Sequence, residues 1–161
     1  FNFLYREIFP IPEPLLADVP KLLGIDGRKM SKSYENAIYM SDRGDVLAKK
    51  VNAMFTDPQR MRKCDPGRPE LCNVFTLHGL YSGAAEVDEI AVDCRRAGIG
   101  CTECKRRLGE RIAEGLQPIH ERQEHYRQHL HEVTEIIREG NLRAAAIARQ
   151  TLEEVREAVK I

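Results

Sequence analysis

The stretch from Thr102 to Ile119, TECKRRLGERIAEGLQPI, sets Leu108, Ile112, Leu116 and Ile119 at spacings of four, four and three. Apolar residues at that interval share one face of a helix, and the charged residues between them face away. Thr102 stands where a helix-opening hydroxyl is favoured. Pro118 is placed to kink the helix. The same period extends outward in both directions. Residues 84–97 carry Val87, Ile90, Ala91 and Cys94 on one face and stop at Gly98 and Gly100. Before them, Pro69 sits at the first turn of a helix bearing Leu71, Val74, Phe75, His78 and Leu80, broken by Ser82 and Gly83. Ser41 or Asp42 caps a helix running through Ala48 and Met54. Downstream, 131–160 repeats the period with Val133, Ile136 and Ile137, then Leu142, Ala145, Ala146, Leu152, Val155 and Val159, divided by Gly140. From residue 41 onward the chain therefore reads as a mainly α, bundle-type domain.

Residues 1–40 differ. FPIPEP (9–14) excludes regular helix and central strand, because each proline removes an amide donor and fixes φ. Val19 to Ile25 is a short apolar piece, extended or strand-like. GIDGRKMSKSYENAI (24–38) has glycines, charge and no apolar period, so it reads as an exposed mobile loop. The 25 basic and 25 acidic residues cancel, so whole-chain charge does not argue for nucleic acid and only local clustering can. No apolar run approaches the roughly 18 residues of a membrane span, and the opening residues do not form a signal peptide. The first residue is Phe1 and the opening FNFLYREIF reads as the end of a helix, so the expectation is a piece whose upstream part is missing.

Within the loop, Lys29-Met30-Ser31-Lys32-Ser33 places two lysines three apart among hydroxyls. Two ammonium groups on a closing loop suit the charge that develops when a nucleotide α-phosphate is attacked, where catalysis is positioning and electrostatics. The plain alternative is a solvated basic turn.

Cys72, Cys94, Cys101 and Cys104 follow the spacing C-x21-C-x6-C-x2-C, and Cys64 falls outside it. An odd total of five without a secretion signal argues against a disulfide framework. Cys94 ends one helix, Cys101 follows the Gly98-Ile99-Gly100 turn and Cys104 lies one turn into the next helix. Four thiolates at such a corner can hold Zn²⁺ or a [4Fe–4S] cluster, and the residues alone leave that choice open. The alternative is small packing residues. Around the corner lie Arg95, Arg96, Lys105, Arg106, Arg107 and Arg111, with few acidic residues expected nearby. They form a candidate surface for RNA phosphate and unstacked bases, or an ordinary charged helical face. His125 and His129 have chelating spacing, but no third ligand is evident in the sequence. With His120 and His131 they read as solvated surface.

KMSKS is the complete second signature of class I aminoacyl-tRNA synthetases, and a chance match in this length is on the order of one in ten thousand. With EPLLADVPKLLGIDGRKMSKSYENAI (13–38), TDP (56–58), DPGRPELCNVF (65–75), IGCTECK (99–105) and LEEVREAV (152–159), nearly the whole chain resembles bacterial tryptophanyl-tRNA synthetases. The resemblance implies that 1–40 is the tail of a Rossmann-like catalytic domain and 41–161 the anticodon-binding helical domain. It implies ATP contacts from Lys29, Met30, Ser31, Lys32 and Ser33, with Lys32 touching the transition state and Val19 offering backbone near adenine. Lys29 and Lys32 would be the catalytic pair. It also implies Mg²⁺ with the ATP, tryptophan and tRNA(Trp) as partners, a homodimer at full length, and the cytoplasm as location. It favours a [4Fe–4S] cluster on the four cysteines over zinc, and RNA contact by the six basic residues. The first signature, HIGH-like in the family, is absent from this chain, so the chain alone is expected not to form an adenylate. A tyrosyl-tRNA synthetase, or a free-standing RNA-binding module with a metal corner, is the competing reading.

Overall fold

The computed structural model describes residues 1–16 and 21–161. Among them there are five α-helices: α1 (Gly44–Ala53), α2 (Asn73–Tyr81), α3 (Ala84–Arg95), α4 (Cys101–Gln128) and α5 (Leu130–Val159). Two 3₁₀ turns, Lys32–Tyr34 and Pro69–Leu71, complete the regular structure, and the β-type pairing among the described residues is one isolated bridge, Leu23 with Lys29. The mainly helical expectation holds.

The chain divides into two compact units. The larger, Val19–Glu121, contains α1 to α3, most of α4 and the lysine-rich loop. Its core joins Leu47, Val51 and Met54 of the α1 region to Val74 and Leu77 of α2 and Leu108, Ile112 and Leu116 of α4. The α4 stripe is the one its period predicts. Leu22, Ile25 and Ile38 pack on the same core, so the loop's flanks are built into the helical unit. The smaller unit, Phe1–Asp18 with Arg122–Ile161, holds the end of α4 and all of α5. Phe1 packs on Tyr5 and Phe9 there, and Arg6 reaches Glu157 of α5 at 3.8 Å. α5 buries none of its residues, and Leu130, Ile136, Ile137, Leu142, Ile147 and Leu152 are exposed.

Local departures from the sequence reading have identifiable causes. α1 starts at Gly44 with Arg43 before it, and neither Ser41 nor Asp42 caps it. Asp42 is instead buried, accepting from the Tyr39 amide at 2.7 Å and pairing with Lys50 Nζ at 2.6 Å. Pro69 opens a 3₁₀ turn rather than α2, which begins at Asn73. Gly140 does not divide the last helix, because one glycine costs a helix only about 1 kcal/mol. The break falls at His129, whose φ of −125° and ψ of 54° interrupt the helical run. α4 runs on through Pro118 as one helix.

Candidate functional site

The lysine-rich loop is a tight excursion with a fixed base. Gly24 N donates to Arg28 O (2.7 Å) and Met30 N to Leu22 O (3.0 Å), closing a turn that Gly27 allows with φ of 80°. Asp26 accepts from the Arg28 amide (3.0 Å) and from Arg28 Nε (2.7 Å). Asn36, only 2% exposed, clamps the whole excursion. Its Oδ1 accepts from the Ser31 amide at 2.8 Å, and its Nδ2 donates to Asp26 Oδ1 at 2.8 Å and to Lys29 O at 3.2 Å. The Asn36 amide, with Arg28, holds the Asp26 carboxyl down to about 2. Gly24 is required beside it, since a Cβ there would lie 2.3 Å from Asn36 Nδ2. Two further bonds tie the base to the helical unit. Asn73, first residue of α2, donates to Gly24 O (3.0 Å), and Phe55 N donates to Ile25 O (2.7 Å).

At the tip, Ser31 Oγ accepts from Ser33 N at 3.3 Å, nucleating the 3₁₀ turn that begins with Lys32. Lys29, Lys32 and Ser33 are exposed, and no described side chain pairs with either ammonium. Lys29, Met30, Ser31, Ser33 and Tyr34 line an open basin of about 450 Å³. The base is thus pinned by hydrogen bonds, and among the described residues no side chain pairs with the cationic tip. Val19 lies outside the described residues.

The four cysteines converge as their spacing predicts. Cys72 caps α2, Cys94 lies in the last turn of α3, Cys101 opens α4 and Cys104 follows one turn on. All four are part-buried free thiols, and Cys64 is exposed. Burial, reinforced by repulsion among the neighbouring sulfurs, pushes Cys104 up to about 12, and burial raises Cys94 as well. No three of these sulfurs lie within 4.8 Å of one another. A tetrahedral zinc thiolate cage needs sulfurs about 3.8 Å apart.

Residues the sequence reading did not single out build the corner. Arg60 Nη2 donates to Ile99 O (2.6 Å) and Lys63 O (3.1 Å), aiming Nη1 at Cys94 Sγ (3.6 Å) and Cys101 Sγ (3.9 Å). Arg60 Nε is buried and has no hydrogen-bond partner. Gly67 N donates to Cys94 O at 2.9 Å, and a Cβ on Gly67 would lie 2.4 Å from Cys94 Sγ. The connector bearing Arg60 and Gly67 is folded by Asp57, which accepts from the Gln59 and Arg68 amides and takes Arg68 as a two-pronged ion pair at 2.6 and 3.0 Å. His78 is fully buried, with Nε2 3.1 Å from Cys104 O and Nδ1 2.8 Å from Ser82 Oγ. Asp57, Arg60 and Gly67 sit in a polar segment without periodicity; Asp57 and Gly67 fall within the TDP and DPGRPELCNVF stretches, but no pattern assigns them a role and none marks Arg60.

The basic residues do cluster near this corner, but the expected scarcity of acidic neighbours is wrong. Arg95 pairs with Glu70, and Arg96 with Asp93. Arg106 pairs with Glu103 and Glu110, and Arg107 with Glu89 and Glu103. Arg111 pairs with Glu86 and Glu114, and Lys105 donates to Asn52 O at 2.7 Å. Acidic residues one helical turn away, on the facing α3 or in the Pro69–Leu71 turn interleave with the arginines, which a count along the sequence does not reveal.

The site is thus a cation-tipped loop on a hydrogen-bonded base, built into an α-helical unit. Residues 2–117 match the family model of tRNA synthetases class I (W and Y), and the chain belongs to that family. A tryptophan–tRNA ligase of Aquifex aeolicus is 49% identical over 162 residues, covering 100% of this chain and 41% of the relative. One from Thermotoga maritima is 41% identical, covering 100% and 49%. The chain therefore spans less than half the length of these relatives. A crystal structure of tryptophanyl-tRNA synthetase from Campylobacter jejuni, complexed with ADP and tryptophan, superposes with a TM-score of 0.82 at 26% identity, over 99% of this chain and 50% of that one.

Proposed function

We propose that the chain supplies the ATP-closing loop and the tRNA-reading helical domain of a tryptophan–tRNA ligase. The complete enzyme joins tryptophan to ATP as an adenylate, with release of pyrophosphate, and passes the tryptophanyl group to tRNA(Trp). The observation that carries this reading is the Asn36-clamped KMSKS loop with two lysines that no described side chain pairs, in a chain similar to tryptophan ligases along its whole length. In the reaction, the Lys29 and Lys32 ammonium groups close on the polyphosphate as tryptophan's carboxylate attacks the α-phosphorus. They stabilise charge that moves onto the leaving pyrophosphate. Met30 and the Ser31 and Ser33 groups complete the contact, Val19 offers backbone near adenine, and Mg²⁺ travels with the nucleotide. No described side chain holds the tip, which supports contacts that are made on closure and act on the transition state more than on ground-state binding. Residues 1–40 serve nucleotide chemistry and 41–161 serve tRNA, although the two stretches share a packed unit.

The cysteine corner fits a [4Fe–4S] cluster better than zinc. No three of the four part-buried thiols lie within 4.8 Å of one another, looser than a zinc cage, and Arg60 places a cation beside ligands that would carry net negative charge. Cys72, Cys94, Cys101 and Cys104 would hold the cluster, whose role here is to fix the α2–α3–α4 corner. Arg95, Arg96, Lys105, Arg106, Arg107 and Arg111 then meet tRNA. Exposed ion pairs are worth about 0–1 kcal/mol, so RNA phosphates can replace their carboxylate partners.

The test is tryptophan-dependent ATP–pyrophosphate exchange in the complete ligase. Lys32→Ala should lower kcat by about a hundredfold, the usual loss of one transition-state charge contact, while the KM for tryptophan changes little. Equal loss in both parameters would refute the transition-state role. Exchange that depends on tyrosine would refute the substrate.

A further inference from the structure

Around the break between α4 and α5 stand three metal-type ligands spaced i, i+4 and i+7, the spacing of one helix face. His125 lies in the last turn of α4, His129 occupies the break, and Glu132 lies in the first turn of α5. The His125 and His129 rings stack with centroids 4.3 Å apart. Across the break at His129, Glu132 Oε2 lies 3.0 Å from His125 Nε2. One ring nitrogen from each histidine and one Glu132 oxygen all lie within 4.8 Å of one another. The sequence shows two histidines at chelating spacing, and the fold supplies the third donor.

The backbone also selects the tautomer. His129 Nδ1 lies 2.8 Å from the His125 carbonyl oxygen. A carbonyl can only accept, so Nδ1 carries a proton, and in the neutral ring Nε2 is the nitrogen left to bind a metal. His125 Nε2, which faces the Glu132 carboxylate, must give up its proton to an incoming ion. This is how metal-binding imidazoles are ordinarily oriented, with the far nitrogen tied to an acceptor. His129 and Glu132 are part-buried, which limits their motion, while His125 is exposed and free to adjust.

We propose that His125, His129 and Glu132 form a binding site for a divalent transition-metal ion of the zinc class, which clamps the α4–α5 break. Two imidazoles and a carboxylate are the donor set that zinc takes with water in the remaining position. Imidazole nitrogen disfavours calcium and magnesium, which prefer oxygen. The site is chemically distinct from the cysteine corner, since it holds no sulfur.

The probe is Zn²⁺, titrated into the protein while the histidine ring resonances are followed by ¹H–¹⁵N NMR, with bound metal counted by calorimetry. The His125 and His129 ring signals should shift together, and those of buried His78 and His120 should not. The His125→Gln/His129→Gln variant should bind one equivalent less than the parent, with an unchanged circular dichroism spectrum. Cys104→Ser should retain that equivalent, because thiol-bound zinc is counted separately. Parent and double variant taking up the same amount of Zn²⁺, or ring signals that stay still at saturation, would overturn the site.

Discussion

Asn36→Ala tests whether the loop's fixed base, rather than its lysines alone, sets the rate. The side chain is buried and makes two bonds to the loop backbone, from the Ser31 amide and to the Lys29 carbonyl. Each is worth about 1 kcal/mol net, and a buried backbone group left without a partner adds to the cost. Counting only these two bonds, the organised loop loses about 2 kcal/mol relative to open alternatives. At 1.36 kcal/mol per decade, that is about a thirtyfold fall in kcat for pyrophosphate exchange if closure needs the organised loop. Because Lys29 and Lys32 remain, high ATP should not restore the rate. Asn36→Asp keeps the acceptor for the Ser31 amide but sets a carboxylate against Asp26 and the Lys29 carbonyl, so it should be no better than alanine. Amide exchange at Ser31 should accelerate in both variants, independently of activity. If Ser31 exchange accelerates and kcat holds, the clamp is structural only. If neither moves, the bonding assignment is wrong.

Gly67→Ala puts a methyl where Cys94 Sγ stands, so it should cost about 1–3 kcal/mol as overpacking and reduce iron bound per chain, read by melting and metal analysis. Iron content that matches the parent would remove Gly67 from the corner. Burial holds the His78 ring below its ordinary value, so the folded protein binds fewer protons there than the unfolded chain. That part of stability is fully present above the unfolded pKa of about 6.5 and is lost as pH falls through the lowered folded value. The melting temperature should therefore drop on acidification below about 6.5, and less steeply in His78→Gln. Arg106→Ala or Arg111→Ala should leave melting nearly unchanged, because exposed pairs contribute about 0–1 kcal/mol, yet weaken tRNA binding and flatten its salt dependence. An unchanged salt slope would detach these residues from RNA.

The parts of the fold that could be read from sequence were those written in period or spacing. The α4 stripe of Leu108, Ile112 and Leu116 lies in the core, and the four cysteines meet at one corner. What could not be read was tertiary. The carboxylates that neutralise Arg107 and Arg111 come partly from α3, across a helix contact. Asp42 looks like a helix cap in one dimension, but Lys50 and the Tyr39 amide outbid the helix for its carboxylate. Gly140 reads as a breaker only if local propensity decides, and here the break is set at His129 instead.

The most consequential of these hidden contacts joins the two sites. Cys72 is a corner thiol, and the next residue, Asn73, bonds the backbone of Leu23 and Gly24 at the base of the lysine-rich loop (3.3 and 3.0 Å). On the other side of the loop base, Phe55 holds Ile25 and stands one residue before the connector that delivers Arg60 and Gly67 to Cys94. The loop base and the cysteine corner are therefore gripped by the same two short segments, each a few residues long. A group bound by the cysteines would fix the position of Cys72, and with it the donor that Asn73 presents to the loop. If the loop closes on ATP and the helical unit reads tRNA as proposed, ordering the corner would also set the platform on which the loop closes.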